Sequence, residues 1–185
     1  MSTLIVSLPT PPAQPGPGLA YAYTLTADGH TALQHGTATA PLLPAPARAG
    51  GEVVAVVPVQ ALSWQRVQLP AGVVPAGALP AGTGTAAARL RKVLEGLLED
   101  RLLDEPAQLH FAVAPDAAAA ARAGAPLWVA VCERAWLRAH LQALEAAGRA
   151  VARVVPEFAP GATASGAAEV HVLGTPEDPW LVICG

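Results

Sequence analysis

The sequence predicts a mixed α/β fold in which antiparallel hairpins come first and helices with further strands follow. Three observations predict it. Short apolar or alternating runs recur between turn residues, which is typical of strands. Two longer segments, one ending near residue 103 and one at 134–147, carry apolar residues at helical spacing. Hairpins followed by helices and more strands indicate a mixed sheet with flanking helices.

The first 70 residues predict five strands. TLIVSLP at 3–9 is an apolar run ended by proline, and TPPAQPGPG then interrupts regular structure. LAYAYTLT and HTALQHGTAT flank Asp28-Gly29, a favourable hairpin turn. EVVAVVPV suits a buried strand, and LSWQRVQLP alternates like a strand with one exposed face. We expect these last two to form a strand pair.

A first helix is predicted from a cap at Thr83 or Thr85 to about residue 103. Its polar face includes Arg91 and Glu95, which are spaced i,i+4 and can form an ion pair. Lys92 and Glu99 lie on that polar face too. The predicted apolar stripe consists of Leu90, Leu94, Leu97, Leu98 and Leu102.

After Pro106 the pattern predicts two strands, a helix, a strand and a hairpin. QLHFAVAP and LWVAVCE are strands joined by an alanine-rich loop that contains Pro115 and Gly124. The helix at 134–147 ends at Gly148, which suits the C′ position. AVARVVPEF is a strand, and after a break near 159–168 the runs AEVHVL and WLVICG form a hairpin.

Composition excludes several classes of protein. Eleven basic against fourteen acidic residues give a net charge of −3, so a nucleic-acid partner is not expected. With 52% hydrophobic and 14% charged residues the chain is not a disordered tail. Cys132 and Cys184 lie in apolar strand runs, which predicts buried thiols in a reducing compartment. Neither a signal peptide nor an apolar run of about 20 residues is present, so we expect a soluble cytosolic piece of a longer protein.

No cofactor, metal or catalytic motif is evident. The five histidines are scattered without metal-ligand spacing, which favours ordinary surface or strand positions. No G-x-S-x-G motif surrounds any serine. AGTGTAAARL at 81–90 lacks the spacing and the lysine of a phosphate-binding loop, so a helix start with a threonine cap is favoured there.

The segment EGLLEDRLLDEP at 95–106 places negative charge where a helix dipole is already negative, which is unfavourable. Its leucines at 97, 98, 102 and 103 predict packing against another element. Glu99 and Asp100 point about 100° apart on a helix, so they cannot form a catalytic carboxylate pair. Two interpretations stay open. The carboxylates form a solvated helix end partly balanced by Arg101, or they form an acidic face for a basic partner.

Taken together, the runs VVAVVPVQALSWQRVQLP, LRKVLEGLLEDRLLDEPAQLHFAV, LWVAVCERAWLRAHLQALEAAG and VARVVPEF resemble the protein L family of the type II secretion system (GspL). The phrase LLEDRL followed by LHFAV is the most specific part, and VPE after a helix ending in AAG adds to it. The resemblance is to the cytoplasmic region and covers roughly residues 52–160.

The resemblance implies an actin-like ATPase fold built on ribonuclease-H-like sheets. Residues 1–158 would form the first lobe, and residues 159–185 a linker and the start of a truncated second lobe. It implies a non-catalytic platform at the cytoplasmic face of the bacterial inner membrane, continued in the full-length protein by a single transmembrane helix and a periplasmic domain. Its implied partners are the N-terminal domain of the secretion ATPase (GspE), membrane proteins of the GspM and GspC type, and a second copy as homodimer.

An actin-like fold also raises the alternative of a nucleotide-binding ATPase, or of a related pilus-assembly protein. Actin-type sites need an acidic, glycine-containing loop between the first two strands, but PTPPAQPGPG contains no carboxylate for magnesium and many prolines without amide donors. Catalysis is therefore not expected. The hypothesis for partner binding rests on Glu95, Glu99, Asp100 and Arg101. Trp64 and Trp180 are either further aromatic anchors or core residues.

Overall fold

The computed structural model describes residues 2–46, 50–74, 84–161, 169–174 and 179–184. These residues form three sheets and three α-helices. The strands are β1 (Thr3–Ser7), β2 (Ala20–Thr26), β3 (Ala32–Thr39), β4 (Glu52–Val57), β5 (Ser63–Val67), β6 (Leu109–Val113), β7 (Leu127–Glu133), β8 (Arg153–Pro156), β9 (Glu169–Gly174) and β10 (Pro179–Cys184). The helices are α1 (Thr85–Leu98), α2 (Ala117–Arg122) and α3 (Arg134–Ala146). The predicted mixed α/β fold with flanking helices is confirmed.

The first sheet has five strands in the order β3-β2-β1-β4-β8. β1 and β2, and β2 and β3, pair antiparallel, whereas β1, β4 and β8 run parallel. The predicted hairpin at Asp28-Gly29 is confirmed. The Asp28 carboxylate accepts hydrogen bonds from the backbone N–H groups of His30 and Thr31, at 2.9 and 2.7 Å. The bonds from Thr31 and His30 stabilise the charged form and lower the pKa of Asp28 to about 2.

Helix α3 shares one hydrophobic core with this sheet. Trp136, His140 and Leu144 are fully buried on it. Trp136 and Leu144 lie in one cluster with residues of β1, β2 and β4, such as Leu4, Tyr21, Val53 and Ala55, and with Leu8 and Leu43 from connecting segments. The helix ends as predicted at Gly148, with φ of 74°. Gly148 and Arg149 donate their N–H groups to the carbonyls of Glu145 and Leu144, which is a Schellman motif.

His140 is fully buried and joins three parts of this core. Its Nε2 lies 3.1 Å from the carbonyl oxygen of Ala13, and its Nδ1 lies 3.0 Å from the hydroxyl of Tyr21. Because a carbonyl only accepts, Nε2 carries the proton and Nδ1 accepts from Tyr21. Burial lowers the pKa of His140 and favours this neutral ring. The expectation that the histidines are ordinary surface or strand residues is therefore wrong for His140.

The second sheet has three antiparallel strands in the order β5-β7-β6. The predicted pairing of β4 with β5 is wrong, since the two strands lie in different sheets. Pro58 and a 3-10 turn at Val59–Ala61 redirect the chain after β4, and β5 pairs with β7. Strand patterns do not reveal this change of partner.

Helices α1 and α2 share the core of the second sheet. Leu90, Leu94 and Leu98 of α1 are buried at a four-residue spacing. The helix is shorter than predicted, because it ends at Leu98 and a 3-10 turn follows at Glu99–Arg101. The cap predicted at Thr85 is wrong, since Gly84 occupies the cap position and Thr85 is the first helical residue. The alternative cap, Thr83, lies outside the described residues.

The alanine-rich stretch predicted as a loop contains α2. Alanine is the best helix former, and six residues make the helix even though few large apolar side chains mark it. Gly124, with φ of 65°, ends it by donating its N–H to Ala121, while Ala125 donates to Ala120. The loop prediction was wrong because a run of alanines has no apolar periodicity, whereas helix propensity and the glycine stop both favour a helix there.

β9 and β10 pair antiparallel as a separate hairpin, as predicted, although the turn at 175–178 lies outside the described residues. The pairs Val170–Ile183 and Val172–Leu181 share one face, on which all four side chains are exposed. The ring of His171 lies 4.8 Å from that of Phe158, which follows β8. The division of the chain into two lobes near residue 158 stays a prediction.

Replacing Tyr21 with phenylalanine removes the hydroxyl that donates to His140 and leaves a buried ring nitrogen without its partner. We expect Tyr21→Phe to lower the free energy of unfolding by about 1–3 kcal/mol in urea denaturation. Tyr23→Phe is the matched control on the same strand, because the Tyr23 hydroxyl takes part in an exposed hydrogen bond with Gln34. It should change that free energy by less than about 0.5 kcal/mol. Equal losses would contradict the importance of the buried link.

Candidate functional site

The candidate site is the acidic segment, defined as residues 99–105 (EDRLLDE) immediately after α1. It contains four carboxylates and one arginine, a net charge of −3, and all four carboxylate side chains are exposed. No described cation lies within ion-pair distance of Glu99, Asp100, Asp104 or Glu105. The segment therefore presents uncompensated negative charge to solvent.

Arg91 fixes the helix that carries this segment. Its Nε lies 2.7 Å from Glu95, which confirms the predicted ion pair. The same guanidinium donates to the carbonyls of Leu109 and Pro106, at 3.0 and 2.9 Å, and lies 5.5 Å from the ring centroid of Phe111. Arg91 was predicted on the polar face, but its guanidinium group holds α1 against the start of β6.

Glu95 and Arg101 are less available to a partner than the hypothesis assumed. Glu95 is half-buried and paired with Arg91. Arg101 is exposed, but its Nη1 donates to the carbonyl of Arg66 on β5, at 3.0 Å. Because its described hydrogen bond goes to a backbone carbonyl, Arg101 anchors the segment to the second sheet and forms no described ion pair with Glu99 or Asp100. The two exposed carboxylates remain the stronger part of the predicted site.

Two exposed leucines border these carboxylates. Leu97 is 42% exposed, and Leu103 is fully exposed. Packing was predicted for both and is wrong, whereas Leu98 is buried and Leu102 is partly buried against the second core. Leu97 precedes the buried Leu98 on the helix and points about 100° away from it. For Leu103 the cause is the end of the helix. Leu102 has extended backbone angles, φ −102° and ψ 142°, so Leu103 no longer continues the helical stripe.

The acidic segment with its leucines is thus an amphipathic surface. Sequence reasoning identified the charges but missed Leu97 and Leu103 as contact candidates. The signal was the repeated leucine doublet, since neighbouring side chains point about 100° apart in a helix and to opposite faces in an extended segment, so only one leucine of each doublet can face the core. Charged residues around exposed apolar groups are typical of the rim and centre of a protein interface.

The remaining candidates divide between core and surface. Cys132 is buried, as predicted, and its burial raises the pKa of the thiol to about 11; the Cys184 side chain lies outside the described part. Trp64 is half-buried in β5, and its indole Nε1 is buried with no hydrogen-bond partner among the described residues. Trp180 on β10 is 42% exposed. Burial favours packing for Trp64 and leaves Trp180 available as an anchor.

The described residues contain no group of three or more His, Cys, Asp or Glu side chains placed to hold a metal ion. Residues 81–83 of the glycine-threonine stretch lie outside the described residues. The connector at 8–19 contains no carboxylate, and its Ala13 carbonyl is bound to His140 of α3. None of the helices in the described ranges has the length and apolarity that crossing a membrane requires.

Comparison with known proteins gives two positive findings. A family model described as type II secretion system (T2SS), protein L matches residues 20–160. The structure is also similar to the cytoplasmic domain of EpsL, an inner membrane component of the type II secretion system of Vibrio cholerae, with a TM-score of 0.64 and 20% sequence identity. That match covers 98% of this chain and 67% of the EpsL chain. None of the curated proteins matches.

Proposed function

Because the chain belongs to the protein L family of the type II secretion system, we propose that it is a non-catalytic platform that recruits the secretion ATPase at the cytoplasmic face of the inner membrane. The contact is made with the N-terminal domain of that ATPase. In the full-length protein, membrane partners of the GspM and GspC type complete the assembly. The fold shared with the EpsL cytoplasmic domain supports the cytoplasmic placement.

The observation that carries the proposal is the acidic segment with its two exposed leucines. Glu99 and Asp100 pair with no described cation, and Leu97 and Leu103 expose apolar surface beside them. Unpaired charge of one sign steers a partner of the opposite sign and raises the association rate. A basic surface with an apolar centre on the ATPase domain is the complement of this segment.

The connector between β1 and β2 supports the non-catalytic part of the proposal. Five of the residues from 9 to 18 are proline and lack the N–H group that a phosphate-binding loop donates. No carboxylate is available there for magnesium. The connector is instead held on α3 through the carbonyl of Ala13 and the ring of His140. Its backbone thus serves the core at the place where an actin-type site would bind phosphate.

Charge reversal at Glu99 tests the proposed contact. We expect Glu99→Lys to weaken binding to the N-terminal domain of the cognate ATPase about tenfold in titration calorimetry. The loss of affinity should be larger at low salt, because salt screens the interaction between exposed charges. Glu145→Lys is the matched control, because Glu145 is an exposed carboxylate on α3, far along the chain from the segment, and the charge change is identical.

Both variants must retain the circular dichroism spectrum of the wild type. Equal affinity of the two variants would reject the acidic segment as the contact but keep the platform role. No binding by a folded wild type would reject the recruitment proposal itself.

The non-catalytic proposal predicts no thermal response to nucleotide. A ligand at 100 times its dissociation constant adds about 2.7 kcal/mol of stability. In a domain of this size that would raise Tm by roughly 5–10 °C. We expect millimolar Mg-ATP to leave Tm unchanged, with an actin-like ATPase as the positive control. A rise of that size would favour the nucleotide-binding alternative.

A further inference from the structure

The strap, which we define as residues 9–18 of the connector between β1 and β2, has few polar contacts with the rest of the chain. None of its residues is buried, and alternate residues from 9 to 15 are half-buried while the others are exposed. Five of them are proline and have no N–H group to donate. Among the hydrogen bonds of the described residues, one joins the strap to an element beyond the connector. In that bond the carbonyl of Ala13 accepts from Nε2 of His140 on α3, at 3.1 Å.

The side chain that holds the strap is itself enclosed. His140 is fully buried, and its Nδ1 lies 3.0 Å from the Tyr21 hydroxyl on β2. The ring also makes T-shaped contacts with the rings of Tyr21 and Trp136, at centroid distances of 5.7 and 5.2 Å. Because Tyr21 and Trp136 are buried and Ala13 is half-buried, the ring reaches solvent most directly on the side that the strap covers.

The groups around the His140 ring are neutral. The hydroxyl of Tyr21 faces it from β2, the indole of Trp136 from α3, and a backbone carbonyl from the strap. The described cluster around these two aromatic residues also contains Cys132, whose pKa burial raises to about 11, and Tyr23 packs against it. No carboxylate of the described residues hydrogen-bonds to the ring. A second proton on the ring therefore places an uncompensated charge in this core, which is unfavourable.

We propose that His140 is an acid-sensitive latch, whose protonation releases the strap from α3. With one proton, on Nε2, the ring donates to the Ala13 carbonyl and accepts from the Tyr21 hydroxyl, so the closed arrangement uses the neutral ring completely. A second proton, on Nδ1, removes that acceptor and adds the charge. The charged ring gains hydration when the strap lifts off, whereas the closed strap keeps water away from it.

The direction of the pH dependence follows from the same arrangement. Burial lowers the pKa of His140, and the bond to the Ala13 carbonyl offsets part of that effect. With the strap open and the ring in water, the imidazole has its ordinary pKa of about 6.5. Below that pH the closed state binds fewer protons than the open state. Closure is therefore fully favoured above about pH 6.5 and weakens progressively as the pH falls.

Nuclear magnetic resonance of the wild type, titrated from about pH 8 to about pH 5, tests the latch in the range in which histidines titrate. We expect the His140 ring to titrate with a midpoint below about 6.5, and the amide signals of Thr10, Ala13 and Gln14 to follow the same curve. The heteronuclear Overhauser effects of these amides should fall at the acid end, because the released strap moves freely. Those of β1 should stay unchanged.

Two variants separate the proton of His140 from other effects of pH. His140→Gln retains a side-chain NH₂ group that can donate to the Ala13 carbonyl, but it does not titrate. The signals of the strap should then be independent of pH. His35→Gln is the matched control, because His35 is an exposed histidine on β3. This variant should behave like the wild type.

Strap signals that stay constant while the His140 ring titrates, or that move equally in a folded His140→Gln variant, would overturn the proposal. If His140→Gln does not fold, the comparison of the two midpoints in the wild type decides on its own. A ring that takes up its second proton only when the whole chain unfolds also contradicts the latch, because no separate open state then exists.

Discussion

The rest of the structure depends on the burial of β7 on both of its faces. Leu127, Val129 and Val131 point into the core formed with α1 and α2. Cys132, on the opposite face, belongs to the core of the five-stranded sheet. Each of these aliphatic side chains contributes about 1.5–3 kcal/mol when fully buried. β7 therefore contributes side chains to both hydrophobic cores. Helix α3 begins at the residue that follows it.

Hydrogen bonds to the second sheet position the helix that carries the acidic segment. The carbonyl of Leu109, at the start of β6, accepts hydrogen bonds from Arg91 of α1 and from Arg134, the first residue of α3. One backbone group thus ties the helices of both cores together. Arg101 adds a bond to β5. The exposed carboxylates are consequently presented from a supported helix end, and a partner would not have to order that end before binding.

The sequence was sufficient to predict the elements whose structure depends on neighbouring residues. The strands, α3 with its glycine stop, the Asp28-Gly29 turn and the Arg91–Glu95 pair all depend on near neighbours, and the structure confirms them. The partner of β5 and the burial of His140 depend on residues far along the chain. No periodicity encodes these. For the site, the charges and the pairing of Glu95 with Arg91 were readable from the sequence, but the hydrogen bond of Arg101 to the carbonyl of Arg66 was not.

Hydrogen–deuterium exchange of the chain, alone and with the N-terminal domain of the cognate secretion ATPase, shows directly whether the acidic segment contacts that domain. We expect slowed exchange in peptides that cover residues 97–105. We expect unchanged exchange in α3, whose buried face packs against the five-stranded sheet. Slowed exchange confined to other surfaces would contradict the claim that the acidic segment is the contact. Unchanged exchange throughout, at saturating ATPase domain, would contradict recruitment altogether.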